Sequence, residues 1–301
     1  MRIALTVIAL CTAACGPTSR DTPGGDDPIP DSQVNPPDGD TGPGCQAIDV
    51  LFVIDNSGSM EEEQGNLVAN FPQFVSVLDA SGLDYRIGVT TTGRDYSWTM
   101  TAPIGGALPM NQGGGDNGTL LKKSPMIKRW IEKADANVSA TFSALANVGT
   151  QGPGLEMPLG AIRDAFEDRI ADGTNVDFHR PDALLAVVIL TDEEDCSHEQ
   201  PVTLGFGQDV CSGSTSESVG NYVQFLDTFT GNHTRWATAV IAGPTDCSSS
   251  FGDAAEAARL AEFVNQVGTN ATFSSICDGD LSGGLAQALA LFESACGGII
   301  L

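Results

Sequence analysis

The stretch Ile48-Asp49-Val50-Leu51-Phe52-Val53-Ile54-Asp55-Asn56-Ser57-Gly58-Ser59-Met60 decides the fold. Its first half is a near-continuous apolar run rich in β-branched residues, which is how a strand buried on both faces of a parallel sheet reads. Its second half turns polar. Gly58 permits a tight turn, so the hydroxyls of Ser57 and Ser59 can point at one centre beside Asp55. Beyond the turn, Leu67, Phe71, Phe74 and Leu78 recur at helical spacing. Pro72 falls inside that pattern, at a position where proline kinks a helix.

The alternation of strand and helix continues outward. Tyr85 to Thr91 reads as a second strand, and residues 95 to 120 as a Gly-rich hairpin and long loop. A helix is expected over 137 to 147, and Leu159, Ile162, Phe166 and Ile170 form another amphipathic stripe. Ala183 to Leu190 is fully apolar and therefore central. Residues 216 to 229 read as a helix, Trp236 to Ala242 as a strand, 254 to 267 as a helix, Thr272 to Ile276 as a short strand and Leu281 to Ala295 as a last helix. Trp236 belongs to the core, and Trp98 and Trp130 read as packing residues. Such alternation implies an α/β fold with a doubly wound, mostly parallel sheet and helices on both faces, spanning residues 45 to 298 as one domain.

In open parallel sheets ligands sit beyond the carboxyl ends of the strands. Two polar clusters fall at such ends. One is Asp55 to Met60; the other, Thr191-Asp192-Glu193-Glu194-Asp195, follows the strand ending at Leu190. Their carboxylates and hydroxyls are hard oxygen ligands, suited to Mg²⁺, Mn²⁺ or Ca²⁺ rather than zinc or copper. Glu193, Glu194 and Asp195 read as a solvated acidic loop, with a second calcium site as the alternative.

Asp55-x-Ser57-x-Ser59 after an apolar strand, with Ile189-Leu190-Thr191-Asp192 later in the chain, resembles the metal-ion-dependent adhesion site of von Willebrand factor A domains. Tyr85-Arg86-Ile87-Gly88-Val89-Thr90-Thr91 and the order of elements agree with the resemblance, which covers residues 45 to 298. It implies a divalent cation, Mg²⁺ first, with Ser57 and Ser59 bound directly and Asp55 and Asp192 bound directly or through water. It also implies a protein or surface partner that offers a carboxylate to the ion. The family's remaining ligand is a threonine before a helix, and this chain departs there. Glu156 stands in the threonine's place, counting back from Ala161-Ile162, and Thr150 is the alternative ligand.

The N-terminus carries Arg2, an apolar run from Ile3 to Leu10 and the small residues Thr12-Ala13-Ala14 before Cys15. This describes a secretory signal over residues 1 to 14. A cysteine directly after small residues resembles a bacterial lipobox, so Cys15 is the expected lipidation site and the membrane is reached through that anchor. Residues 16 to 44 are rich in Gly, Pro, Asp, Ser and Thr and are expected to be disordered, a tether averaging roughly 30 Å. An exported protein, lipid-anchored at a bacterial outer membrane or cell surface, follows.

Beyond Cys15 lie Cys45, Cys196, Cys211, Cys247, Cys277 and Cys296, an even set that reads as disulfides. Sequence alone leaves about 15 pairings open for six cysteines. The expected bridges are Cys196–Cys211, which bracket a loop, Cys45–Cys296, which flank the domain, and the remaining Cys247–Cys277.

Acidic residues number 39 against 14 basic, for a formal net charge of -25, which argues against a nucleic-acid role. No Gly-x-Ser-x-Gly elbow or phosphate loop occurs, no Gly-x-Gly-x-x-Gly follows the first strand, and the three histidines, His179, His198 and His233, have no ligand spacing. No lysine or arginine is expected beside the two clusters. A binding protein, rather than an enzyme, is the reading; the alternatives are a structural envelope module in which the metal only stabilises the fold and, behind it, a metal-dependent hydrolase.

Overall fold

The computed structural model describes residues 45–211, 217–249 and 252–298. The expected signal over residues 1 to 14, the expected lipidation site Cys15 and the expected tether over residues 16 to 44 lie outside the described residues. In chain order the elements are β1 (Ala47–Ile54), α1 (Glu61–Ser81), β2 (Asp84–Thr91), β3 (Tyr96–Thr101), β4 (Ala107–Gln112), β5 (Trp130–Glu132), α2 (Val138–Ala146), α3 (Pro158–Phe166), α4 (Asp168–Ala171), β6 (Leu184–Leu190), β7 (Thr203–Leu204), α5 (Val219–Thr230), β8 (Trp236–Ala242), β9 (Cys247–Ser249), β10 (Gly252–Ala254), α6 (Ala258–Val267), β11 (Ala271–Ser275) and α7 (Ser282–Gly297).

A six-stranded sheet runs β11-β8-β6-β1-β2-β5, parallel throughout except for β5, which pairs antiparallel with β2. Every residue of β1, β6 and β8 is buried, as their unbroken apolar runs require. Side chains of β1 alternate between two apolar clusters. Ile48, Val50, Phe52 and Ile54 pack with Leu67, Phe71, Phe74, Phe142 and Phe292 from α1, α2 and α7. Leu51 and Val53 pack with Leu159, Ile162, Tyr222, Leu226, Leu260 and Phe263 from α3, α5 and α6. Phe52 anchors the first cluster edge-on to Phe71, Phe74 and Phe142, with centroids 5.9, 5.5 and 4.9 Å away.

Register then places the strand ends. Ile54 pairs with Thr91 of β2 and with Leu190 of β6. The residues that follow these three strands, Asp55, Thr92 and Thr191-Asp192, therefore leave the sheet level with one another.

Several boundaries differ from the sequence expectation. The stripe ending at Ile170 is broken at Glu167 into α3 and the single turn α4. The helix expected from 254 starts at Ala258, because Gly252–Ala254 pairs back on Cys247–Ser249 as a hairpin. Pro72 lies inside α1, which continues to Ser81 and ends at Gly82 in the left-handed region, φ 79°. Trp130 sits on the edge strand β5 beside Phe178, a packing position, while Trp236 is fully buried.

Disulfides join Cys45 to Cys296, Cys196 to Cys211 and Cys247 to Cys277. Such bonds mark a protein that matures in an oxidising compartment. Among the described residues no helix is long and apolar enough to cross a membrane.

Candidate metal centre

At the end of β1 the chain turns on itself. The Ser57 N–H donates to Asp55 Oδ1 at 2.7 Å, and the hydroxyls of Ser57 and Ser59 lie 3.2 Å apart. The Thr191 hydroxyl donates to Asp55 Oδ2, so the first residue beyond β6 orients the carboxylate beyond β1. Asp55 is fully buried, Asp192 and Ser57 are nearly so, and Ser59 faces solvent.

The loop before α3 completes the centre. Glu156 bridges to Gly93, its backbone carbonyl accepts from Cys196 N–H at 2.7 Å, and Met157 N–H donates to Thr92 O at 3.1 Å. Held from both sides, Glu156 is fully buried and receives the Thr92 hydroxyl on Oε2. The neighbouring loops touch closely: a Cβ on Gly152 would lie 2.2 Å from Asn56 Oδ1, and Gly152 N–H donates to Asn56 O at 2.8 Å. Only glycine permits that approach. Thr150 lies instead in the wall of a separate hollow with Glu61, Gln64, Ser143 and Asn147.

Burial and crowding set the electrostatics. Desolvation, then the Asp55 carboxylate, push Glu156 up to about 9. Burial raises Asp55 to about 6 against the hydrogen bonds from Thr191 and Ser57. Glu193 is pushed to about 7 by burial and then by Asp55 and Asp192, and burial also raises Asp192. Glu63, on the first turn of α1 and packed against Gly252, is raised to about 7 by burial and then by Asp192. None of these five carboxylates forms an ion pair among the described residues. Glu156 Oε1, Asp192 Oδ1 and Glu63 Oε2 are buried without a hydrogen-bond partner among the described residues.

Among the described residues no three side chains drawn from His, Cys, Asp and Glu are arranged to hold a metal by themselves. The set here is mixed: hydroxyls of Ser57, Ser59 and Thr92 stand with the carboxylates of Asp55, Glu156 and Asp192. Its chemistry fits a hard divalent cation, since unpaired buried carboxylates and unused oxygens are what such an ion would satisfy.

The rest of the second cluster does other work. Asp195 is fully buried, not part of a solvated loop. It accepts from Leu159 N–H at 3.2 Å and from Arg259 Nε at 3.1 Å, and Glu194 caps α6 by accepting from Arg259 N–H. Arg259 thus stands beside the second cluster, where the sequence suggested no cation, and it is spent on Asp195. Thr92, Gln64 and Glu63 were not singled out from sequence. The Thr90-Thr91-Thr92 run, which closes β2 and leaves Thr92 as the first residue beyond it, is the signal that points to Thr92.

The fold and site define an α/β domain with an oxygen-lined centre at the carboxyl ends of its central strands. No family model and no curated protein matches the chain. Among solved structures it is similar to proximal thread matrix protein 1 from the mussel byssus, with 12% identity and a TM-score of 0.42, over 83% of this chain and 49% of that one. It is also similar to the pilus adhesin SpaC from Lactobacillus rhamnosus GG, with 11% identity and a TM-score of 0.43, over 82% of this chain and 31% of that one. The chain thus spans about half the length of the first and under a third of the second. Likenesses of this size carry no argument about function.

Proposed function

We propose that this chain is an exported, lipid-anchored binding protein with a doubly wound domain of the von Willebrand factor A type. A divalent cation is held by Asp55, Ser57, Ser59 and Asp192, with Glu156 in the place of the family's threonine. Through the ion the domain binds a protein or surface ligand that supplies an oxygen donor, a carboxylate in the family's mode, at the solvent-facing Ser59. Cys15 carries the lipid and fixes the protein at the outer membrane or cell surface. The protein has no catalytic role in this reading.

The observation that carries the reading is the level exit of Asp55, Thr92 and Thr191-Asp192 from adjacent strands, around carboxylate oxygens that have no hydrogen-bond partner among the described residues. A second reading, in which the ion only pins the loops, is favoured by the deep burial of Asp55 and Glu156. Capture of a partner from envelope extract, with and without chelator, separates them. Loss of capture with EDTA and with Asp55→Ala is expected. Unchanged capture together with a lowered melting temperature would establish the structural reading instead.

A further inference from the structure

We infer that the segment over residues 122–133 is a docking face for a lipid surface that carries phosphate. The inference goes beyond the proposed function and needs neither the ion nor the lipid on Cys15. All four lysines of the chain, Lys122, Lys123, Lys128 and Lys133, fall in this segment together with Arg129, against a single carboxylate, Glu132. In a chain of net charge -25 that is a local reversal of sign.

The charges are not cancelled. Glu132 takes Lys128 at 2.6 Å and Arg86 at 3.4 Å. The other four cations form no ion pair among the described residues and hold backbone carbonyls instead. Lys122 donates to Ile127 O at 2.6 Å, Lys123 to the carbonyls of Ala144 and Asn147, Arg129 to Leu120 O at 2.7 Å and Lys133 to Leu83 O at 2.8 Å. A carbonyl fixes a cation in place and leaves its charge uncompensated. Asp135, next along, turns back to accept from Glu132 N–H at 2.8 Å. Exposed charges more than about 8 Å apart are largely screened at physiological ionic strength, so the acidity of the remaining surface does not erase the patch.

Apolar groups are set among these cations. Ile127 is 86% exposed between Lys123 and Lys128, beside a hollow of about 250 Å³ lined by Pro125, Met126, Ile127, Lys128 and Trp130. Arg86 and Lys128 lie over the Trp130 ring, 5.3 and 5.9 Å from its centroid. Cations around an exposed aliphatic side chain and a half-buried tryptophan suit a bilayer interface, where ammonium groups meet phosphates and the apolar group enters the boundary with the acyl chains. A soluble polyanion, or the acidic face of a second copy, would use the cations and leave Ile127 in water. The strip closes at the amino ends of the strands. Lys133 holds Leu83 there, and Asp84 N–H donates to Gln46 O at 2.9 Å, at the far end of β1 from Asp55.

The test uses the chain over residues 16 to 301, which keeps every described residue and lacks the expected signal and acyl site. Chelator is present throughout, so no metal bridges protein to phosphate and the result is independent of the metal reading. Co-sedimentation with phosphatidylcholine vesicles is compared with vesicles that also contain phosphatidylglycerol. Binding to the second only, weakened by added salt, is expected. Lys122→Gln with Lys123→Gln should weaken it about thirtyfold, near fivefold for each charge. Ile127→Ser, at a site too exposed to disturb folding, should weaken it about fivefold. Equal binding to both vesicles, or binding to neither, overturns the inference. If Ile127→Ser changes nothing and soluble polyphosphate displaces the vesicles at equal phosphate concentration, the face belongs to a soluble polyanion and the lipid assignment falls. Self-association in solution that the two lysine changes abolish, without vesicle binding, assigns the face to a second copy and overturns it as well.

Discussion

Gln64 joins two loops of the candidate centre through one side chain. Its amide nitrogen donates to the carbonyls of Asp55 and Gly149, each at 2.9 Å, and its carbonyl oxygen accepts from Gly149 N–H at 3.2 Å. The loop after β1 is thereby tied to the segment that leads to Glu156, through a residue on the second turn of α1. Because Gln64 is itself buried, removing it strands backbone groups away from water.

Gln64→Leu is therefore expected to destabilise the fold by about 2–3 kcal/mol, the cost of leaving buried donors and acceptors unmet. Denaturant unfolding measures it. Affinity for the divalent cation should fall in the same variant, because the spacing between Asp55 and Glu156 is no longer fixed. A loss below about 0.5 kcal/mol, the size of an ordinary surface change, would mean the two loops hold each other without the clamp.

The raised carboxylates give the metal-free protein a definite pH dependence. Asp55 at about 6, Glu63 and Glu193 at about 7, and Glu156 at about 9 all lie above their ordinary values of 3.8 and 4.5. A group with a raised folded value binds more protons folded than unfolded, so its contribution is complete below the unfolded value and is lost as pH rises through the folded one. The melting temperature in chelator should thus decline from pH 5 towards pH 9, and Glu156→Gln should flatten the upper part of that decline. Saturating metal should flatten it further, and calorimetry in buffers of different ionisation heat should detect proton release on binding at pH 7. A chelated parent chain with no decline between these limits would contradict the assignment.

A second buried pair makes a simpler test of packing. Arg94 binds Asp164 with both ends of its guanidinium, Nε at 2.7 Å and Nη2 at 2.8 Å, and Nη1 reaches His198 O at 2.9 Å. The arginine passes over Gly160 on α3, where a Cβ would meet Nη1 at 2.2 Å. Gly160→Ala should displace the guanidinium and cost about 3–5 kcal/mol, the scale for breaking a buried ion pair. Restoring most of that stability by a second change, Arg94→Met with Asp164→Leu, would confirm that the clash acts through the pair. Without that recovery the cost lies in helix packing.

The central strands were legible because burial on both faces forces unbroken apolar runs, and the Asp55 and Asp192 ends because polarity switches abruptly after them. Glu156 was legible only by counting back from α3. The partners that sequence did not reveal are long-range. Asp195 finds Arg259 across 64 positions, and Thr92 finds Glu156 across another 64. Neither local periodicity nor charge spacing encodes such a meeting; it follows from strand register. The β9–β10 hairpin escaped for a different reason, since three-residue strands are too short to show alternation.

The two disulfides at opposite extremes of span should differ in what they contribute. Cys45–Cys296 closes 251 positions and holds the start of β1 against the end of α7, where Cys45 N–H also donates to Cys296 O at 2.9 Å. Cys196–Cys211 closes only 15 and stiffens the loop that follows Asp195. By loop-closure entropy the long bridge constrains the unfolded chain by about 5.5 kcal/mol and the short one by about 3 kcal/mol. Replacing Cys45 and Cys296 together by alanine is expected to cost about 2 kcal/mol more than replacing Cys196 and Cys211, read from denaturant midpoints in metal-saturated buffer. Metal affinity should show the reverse order. Cys196 N–H holds the Glu156 carbonyl, so loosening the short loop disturbs the centre, whereas the long bridge lies at Ala47, the far end of β1 from Asp55. Equal effects on affinity would mean the Cys196 loop does not position Glu156.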